Sequence, residues 1–208
     1  MTTKKHKIGW IGMGRMGYPM AEWLVKAGND VSIWNRTKAK AEPLAAKGAK
    51  LVNRPADLAG CDILFTMVST GKDVEQVYFG EGGVATVKGK IPKIFVECSS
   101  ISVEESESVR KRLEALGATF IAAPVSGNGK CVKAGKLSSV ASGPKAAFEV
   151  VKPYIETYAK RGVSYVGEGE LSRMCKIAHN VMLGVVIQNL VEITILAQKH
   201  GVPRHAFL

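Results

Sequence analysis

Four short apolar runs, near residues 7–11, 31–34, 62–67 and 93–97, recur along the first half of the chain with helical patterns between them. Runs of this length bounded by turn residues read as buried strands. Strands separated by helical segments pair in parallel, because a tight hairpin cannot connect parallel neighbours. A parallel sheet needs helices on both faces, so the alternation predicts an open, doubly wound α/β architecture. Further short strands fit TFIAA (119–123), SSVAS (138–142) and VSYVG (163–167), with a helix over 145–158 between the last two. A capping box, Ser102 with Glu105 three positions on, opens a helix over 102–116 that Gly117 closes.

The first strand runs into IGWIGMGRMGYPMAEWLVKAG (8–28), where Gly12, Gly14 and Gly17 form G-x-G-x-x-G. Alone, that motif is weak, because glycines are common in turns. Here it follows a strand and opens a helix carrying Met20, Ala21, Leu24 and Val25, and VSIW supplies the second strand of the unit. Gly12 permits the tight turn, Gly14 lets a pyrophosphate approach the backbone, and Gly17 allows close helix-to-strand packing. The loop residues Met13, Arg15 and Met16 complete the cradle, and the helix N-terminus offers amides and a positive dipole end to phosphates. The alternative is an ordinary strand-to-helix turn. At the end of the second strand stand Asn35, Arg36 and Thr37, with no carboxylate among them to repel a phosphate. Arg36 is suited to pair with a ribose phosphate, with Thr37 and Lys38 as further donors, which favours NADP over NAD while leaving NAD possible. The bland alternative makes Arg36 a surface charge and Thr37 a helix cap.

The longest helical pattern covers 171–200 and stops at Gly201, with Pro203 just beyond. Met174, Ile177, Val181, Met182, Val185, Val186, Leu190, Ile193 and Leu196 make it apolar nearly all round, so burial on several sides is expected. Few residues follow to bury it. A partner chain, hence a homo-oligomer through this helix, or a further part of a longer protein is expected to cover it. The 208 residues, 46% hydrophobic, suffice for one sizeable core. The excess of 29 Lys+Arg over 18 Asp+Glu, net +11, favours anionic partners. Scattered basic residues without interleaved aromatics give no expectation of nucleic acid binding. The basic start MTTKKHK precedes an apolar run too short for a signal core or membrane span, so a cytoplasmic protein without membrane attachment is expected. Cys61, Cys98, Cys131 and Cys175 lack paired spacing, and neither metal nor disulfide is expected.

Four motifs in order, GWIGMGRMGYPMAEWLVKAG, MVS with ECSS, AAPVSGNGKCVKAGKL and GEGELSRMCKIAHN, resemble the β-hydroxyacid dehydrogenase family, that of 3-hydroxyisobutyrate dehydrogenase, tartronate semialdehyde reductase and the glyoxylate and succinic semialdehyde reductases. The resemblance covers essentially the whole chain. It implies a Rossmann-type dinucleotide-binding domain over 1–166, then, over 167–208, a long interdomain helix beginning an all-α domain that is largely absent here. It also implies hydride transfer between a nicotinamide cofactor and a small β-hydroxy acid or its semialdehyde or oxo acid. Lys176 matches the family's catalytic lysine, an acid and base for the substrate oxygen. Such a role requires a lowered pKa, which partial burial beside Met174 and Cys175 would assist. Asn180, one turn on, shares its face and would orient the same oxygen. Ser126 and Gly127 match the carboxylate-binding turn, continued by Asn128. Ser100 maps to the position touching the nicotinamide, with Met67, Val68 and Ser69 along the neighbouring edge.

Three departures stand out: Ala122 replaces the usual acid of the substrate motif, Asn128 its last glycine, and His179 the asparagine preceding Asn180. Two rivals remain. A non-catalytic assembly module on the same domain is opposed by Lys176; imine reductases generally carry another residue there, and nothing marks the phosphate pocket of a sugar-acid phosphate dehydrogenase.

Overall fold

A computed structural model describes residues 6–207. Most of the basic N-terminal stretch read above lies outside the described residues. In the first half, β1 (Ile8–Ile11), α1 (Gly17–Lys26), β2 (Val31–Trp34), α2 (Glu42–Ala45), β3 (Lys50–Leu51), β4 (Ile63–Thr66), α3 (Gly71–Phe79), β5 (Ile94–Glu97), α4 (Val103–Ala115) and β6 (Thr119–Ala122) follow in order. These six strands form one parallel sheet in the order β3-β2-β1-β4-β5-β6. The order reverses direction beside β1, the switch point at which such sheets open a crevice beyond their carboxyl ends. This is the Rossmann-type, doubly wound architecture expected from the alternation.

Side-chain alternation builds two cores. Ile8, Trp10, Ile33, Ile63, Phe65, Val96 and Ile121 face the side covered by α1, while Ile11, Leu64, Phe95 and Phe120 face α3 and α4. Trp10 is fully buried, stacked on Phe65 at 5.5 Å between ring centres and met edge-on by Tyr158 at 6.1 Å. Ser102 caps α4 with both halves of the predicted capping box formed.

After β6 come β7 (Val125–Ser126), α5 (Gly129–Lys133), β8 (Ser138–Ala141), α6 (Lys145–Tyr158) and β9 (Gly162–Tyr165). The strands predicted at SSVAS and VSYVG do not extend the main sheet. They form a separate three-stranded sheet, β7-β8-β9, in which β7 and β8 are antiparallel. The two-residue strands β3 and β7 carry too little periodicity to be read from sequence.

The final elements are α7 (Leu171–Lys199) and α8 (Arg204–Phe207). The expected length of α7 is met within a residue. Its surroundings are one-sided: only Ser172, Arg173 and Thr194 are buried, and Val185 is 63% exposed. Within this chain the apolar flanks of α7 are uncovered. By length and composition alone, α7 is long and apolar enough to cross a membrane.

Gly12 (φ +98°) and Gly17 fix the entry to α1. A Cβ on Gly17 would be driven into the carbonyl oxygen of Gly12, which also accepts a hydrogen bond from Trp10 Nε1 at 3.0 Å. A Cβ on Gly14 would meet nothing within 4 Å. Gly17→Ala is therefore expected to cost about 1–3 kcal/mol by overpacking, and Gly14→Ala to leave the urea midpoint nearly unchanged. Equal midpoints for the two variants would contradict the packing account.

Candidate active site

A cleft of about 280 Å³ opens beyond the carboxyl ends of β1, β2 and β4. Nine of the sequence-predicted cofactor residues line it: Gly12, Gly14, Arg15, Asn35, Arg36, Thr37, Met67, Val68 and Ser69. The remaining four serve otherwise or lie apart. Met13 is buried and its backbone amide donates to Asn35 Oδ1 at 2.8 Å, Met16 packs against the core, Gly17 makes the close contact above, and exposed Ser100 is not among the cleft's lining residues. Asn35 also donates from Nδ2 to the Thr37 carbonyl at 2.8 Å, so it ties the glycine loop to the end of β2. Thr37 stands before the short 3-10 turn Lys38–Lys40 but makes no side-chain cap there, so its hydroxyl is not consumed by that role.

These features fit the phosphates of a dinucleotide. Gly14 leaves open space where a side chain would fill the cradle. The N-terminus of α1 has no side-chain cap and no acidic residue in its first turn, so its positive end is uncompensated. Arg15, Arg36 and Lys40 add cationic side chains to the walls.

Sequence reasoning missed Trp34, Lys40, Asp73, Gln76 and Val77 in the same cleft. Asp73 matters most, because it corrects the reading that no carboxylate stands near Arg36. Thr70 caps α3 by accepting from the Asp73 amide at 3.1 Å and donates its hydroxyl to Asp73 Oδ2 at 2.8 Å, while Arg36 Nη1 lies 3.3 Å from Asp73 Oδ1. The signal was present: TGKD has the spacing of a capping box directly after β4. A groove of about 630 Å³ between α3 and α4 is larger, yet shallow, and its Arg112 already pairs with Glu75 and stacks on the Phe79 ring at 3.7 Å.

The second half of the site is built where α7 begins. Arg173 is 2% exposed, and its guanidinium pairs with fully buried Glu97 at the end of β5. It also donates to the Ser99 carbonyl at 2.5 Å and, through Nε, to Ser106 Oγ at 3.2 Å. Glu97 accepts in turn from the Ser99 amide at 2.8 Å, and Ser99 Oγ accepts from the Val68 amide at 2.8 Å, which joins this network to the cleft wall. Ser172 donates from its hydroxyl to the Ala122 carbonyl at 3.0 Å and from its amide to Ser142 Oγ at 3.1 Å. Glu170 receives hydrogen bonds from Ser106 and, at 2.8 Å, from Arg110. Ala122, where the resembling family carries an acid, thus contributes its backbone carbonyl to the seat of α7.

Lys176 lies four residues after Ser172 and three after Arg173, on the same buried face. Its Nζ donates to Ser126 Oγ at 3.3 Å, and burial lowers its pKa from the usual lysine range. The expected source of that burial is corrected: Met174 and Cys175 are exposed, pointing away from the sheet. Asn180 and His179 are exposed one turn further along. Gly127 has φ +127°, and a Cβ there would collide with Leu137. Asn128 caps α5, its Oδ1 accepting from the amides of Lys130 and Cys131 at 2.9 and 3.1 Å. A Cβ on Gly129 would lie 3.1 Å from Arg15 Cγ, so the glycine loop of the cleft abuts the turn that holds Ser126. The turn 126–129 thereby links the lysine to the cleft.

Comparison with known proteins follows the same outline. Residues 7–167 match the family described as the NAD binding domain of 6-phosphogluconate dehydrogenase. The chain is 35% identical over 199 residues to glyoxylate/succinic semialdehyde reductase 2, chloroplastic, of Arabidopsis thaliana, covering 93% of this chain and 54% of that protein. It is 31% identical over 196 residues to 3-hydroxyisobutyrate dehydrogenase of Pseudomonas aeruginosa, covering 93% and 65%. The solved structure of Mycobacterium tuberculosis 3-hydroxyisobutyrate dehydrogenase with L-serine superposes with a TM-score of 0.88 at 28% identity, covering 98% of this chain, and so most of α7, and 69% of that one. The chain thus spans between about half and two thirds of these proteins' length.

Breaking a buried ion pair leaves an uncompensated charge, at a cost of about 3–5 kcal/mol. Glu97→Gln, which keeps the shape, is expected to lose that much in a denaturant titration. A loss within the range of an exposed pair, about 1 kcal/mol or less, would show that the pair does not hold α7 in place.

Proposed function

This chain belongs to the family of the NAD-binding domain of 6-phosphogluconate dehydrogenase, and from that premise we propose that it is the cofactor-binding and lysine-bearing part of an oxidoreductase that interconverts a small β-hydroxy acid with its oxo acid or semialdehyde. The observation that carries the reading is Lys176, partly desolvated and 3.3 Å from Ser126 Oγ, on a turn that reaches Arg15 of a cleft suited to a dinucleotide. The relatives' names, and the L-serine held by the mycobacterial enzyme, point to short substrates bearing a carboxylate and a hydroxyl or carbonyl.

When bound, a nicotinamide cofactor supplies the hydride donor or acceptor. The protein's part is charge and proton management. A carbonyl oxygen being reduced gathers negative charge, which the Lys176 ammonium stabilises before giving it a proton; in reverse, the neutral amine removes the hydroxyl proton. Burial brings these two states closer in energy near neutrality than on an exposed lysine. Ser126 and the backbone at Gly127 and Asn128 would hold the substrate carboxylate, and Asn180 would orient the reacting oxygen. Gly12, Gly14 and the amino end of α1 would receive the pyrophosphate. Arg36, with Arg15, Thr37 and Lys40, supports NADP as the preferred form. The uncovered apolar flanks of α7 support a homo-oligomer.

Lys176→Ala is expected to lower kcat/KM by about 10²–10⁴-fold with the NADPH Kd within about twofold, measured against a panel of short semialdehydes and glyoxylate. Unchanged turnover would remove the lysine from the mechanism. In the oxidation direction the base is the neutral amine. Because burial lowers its pKa, kcat/KM should rise with pH and level off below the usual lysine range; a rise continuing into that range would contradict the burial effect.

A further inference from the structure

Arg36 is an exposed cation of the cleft, its side chain 85% accessible, whereas its partner Asp73 is 28% accessible and held by Thr70. The two differ in freedom. One carboxylate oxygen of Asp73 takes the Thr70 hydroxyl and the other faces the guanidinium, so the acid is held by its own helix as well, while the exposed arginine is held here by the acid. A phosphate entering this part of the cleft would gain charge-assisted hydrogen bonds from Arg36, but only against the repulsion of Asp73 and in competition with it. A ribose hydroxyl, being neutral, meets no such repulsion.

We propose that Asp73 sets the balance between the two nicotinamide cofactors: by holding Arg36 and opposing a second negative group beside it, it weakens binding of the 2′-phosphorylated form. The inference rests on the reading above that Arg36 receives a 2′-phosphate. The position at the end of β2 carries no acid, so discrimination is supplied from α3, across the cleft, by a residue 37 positions away in sequence. Exposed ion pairs are weak and easily exchanged, so the effect is graded: Asp73 narrows, without reversing, the preference for the 2′-phosphate that Arg36 provides. It is also electrostatic, hence reduced as salt rises.

The experiment is a titration of the purified protein with NADPH and with NADH by isothermal calorimetry, in low and high salt, for the wild type, Asp73→Asn and Arg36→Ala. Thermal melts of each variant confirm folding; asparagine retains an acceptor for Thr70. Asp73→Asn is expected to tighten NADPH about three- to tenfold and to leave NADH within about twofold, with the gain shrinking at high salt. Unchanged or weakened NADPH binding in this variant, or an equal gain for both cofactors, overturns the role of Asp73. Arg36→Ala separates this from the underlying reading. Selective loss of NADPH affinity there upholds Arg36 as the phosphate partner whatever Asp73 does, whereas loss of neither cofactor or both equally overturns that reading and the inference with it.

Discussion

The buried pair of Arg173 and Glu97 ties the first turn of α7 to the carboxyl end of β5, and the geometry of the lysine site depends on it. A guanidinium has five donors, and here they reach a carboxylate, backbone carbonyls and the Ser106 hydroxyl. Ser172 adds two anchors, to the last residue of β6 and to Ser142 just after β8. The helix therefore arrives with its rotation fixed, which turns Lys176 towards Ser126 and leaves Met174 and Cys175 outside. Isolated buried charges are costly, and a fully bonded pair is tolerated where one arrangement must be selected over its neighbours by rotation or register.

The same carboxyl edge of the parallel sheet carries both halves of the candidate site. Strand ends β1, β2 and β4 open the dinucleotide cleft, and the loop after β5 links its wall to the α7 clamp through Ser99. Arg15 and Gly129 close the remaining distance. Groups distant in sequence meet because parallel strands deliver all their exits to one side.

What was legible in the sequence follows from what is local. The runs at residues 31–34 and 145–158 match β2 and α6 residue for residue, because hydrophobic period and stop signals are properties of a short window. Ser102 and Glu105 likewise announce their helix. The glycine motif was readable because Gly12 and Gly17 answer backbone requirements, a positive φ and a close approach, and Gly14 leaves the cradle open. Contacts between windows were not readable. Asp73 meets Arg36, and Arg173 meets Glu97, only after the sheet order is established. Arg173 in particular resembles any helical surface arginine until its neighbours are known. The division into two sheets was equally hidden, since short runs such as SSVAS specify a strand but not its partner.

The uneven support of α7 has a mechanical consequence. A helix rises about 1.5 Å per residue, so Lys176 lies about 4.5 Å along the axis from the Arg173 anchor and Lys199 about 39 Å. The helix is a lever with its pivot at the lysine end. A tilt of about 10° would sweep the far end through about 7 Å while moving the lysine by less than about 1 Å. A displacement along the outer length of α7 would therefore disturb the amine of Lys176 little, because that amine sits beside the fulcrum.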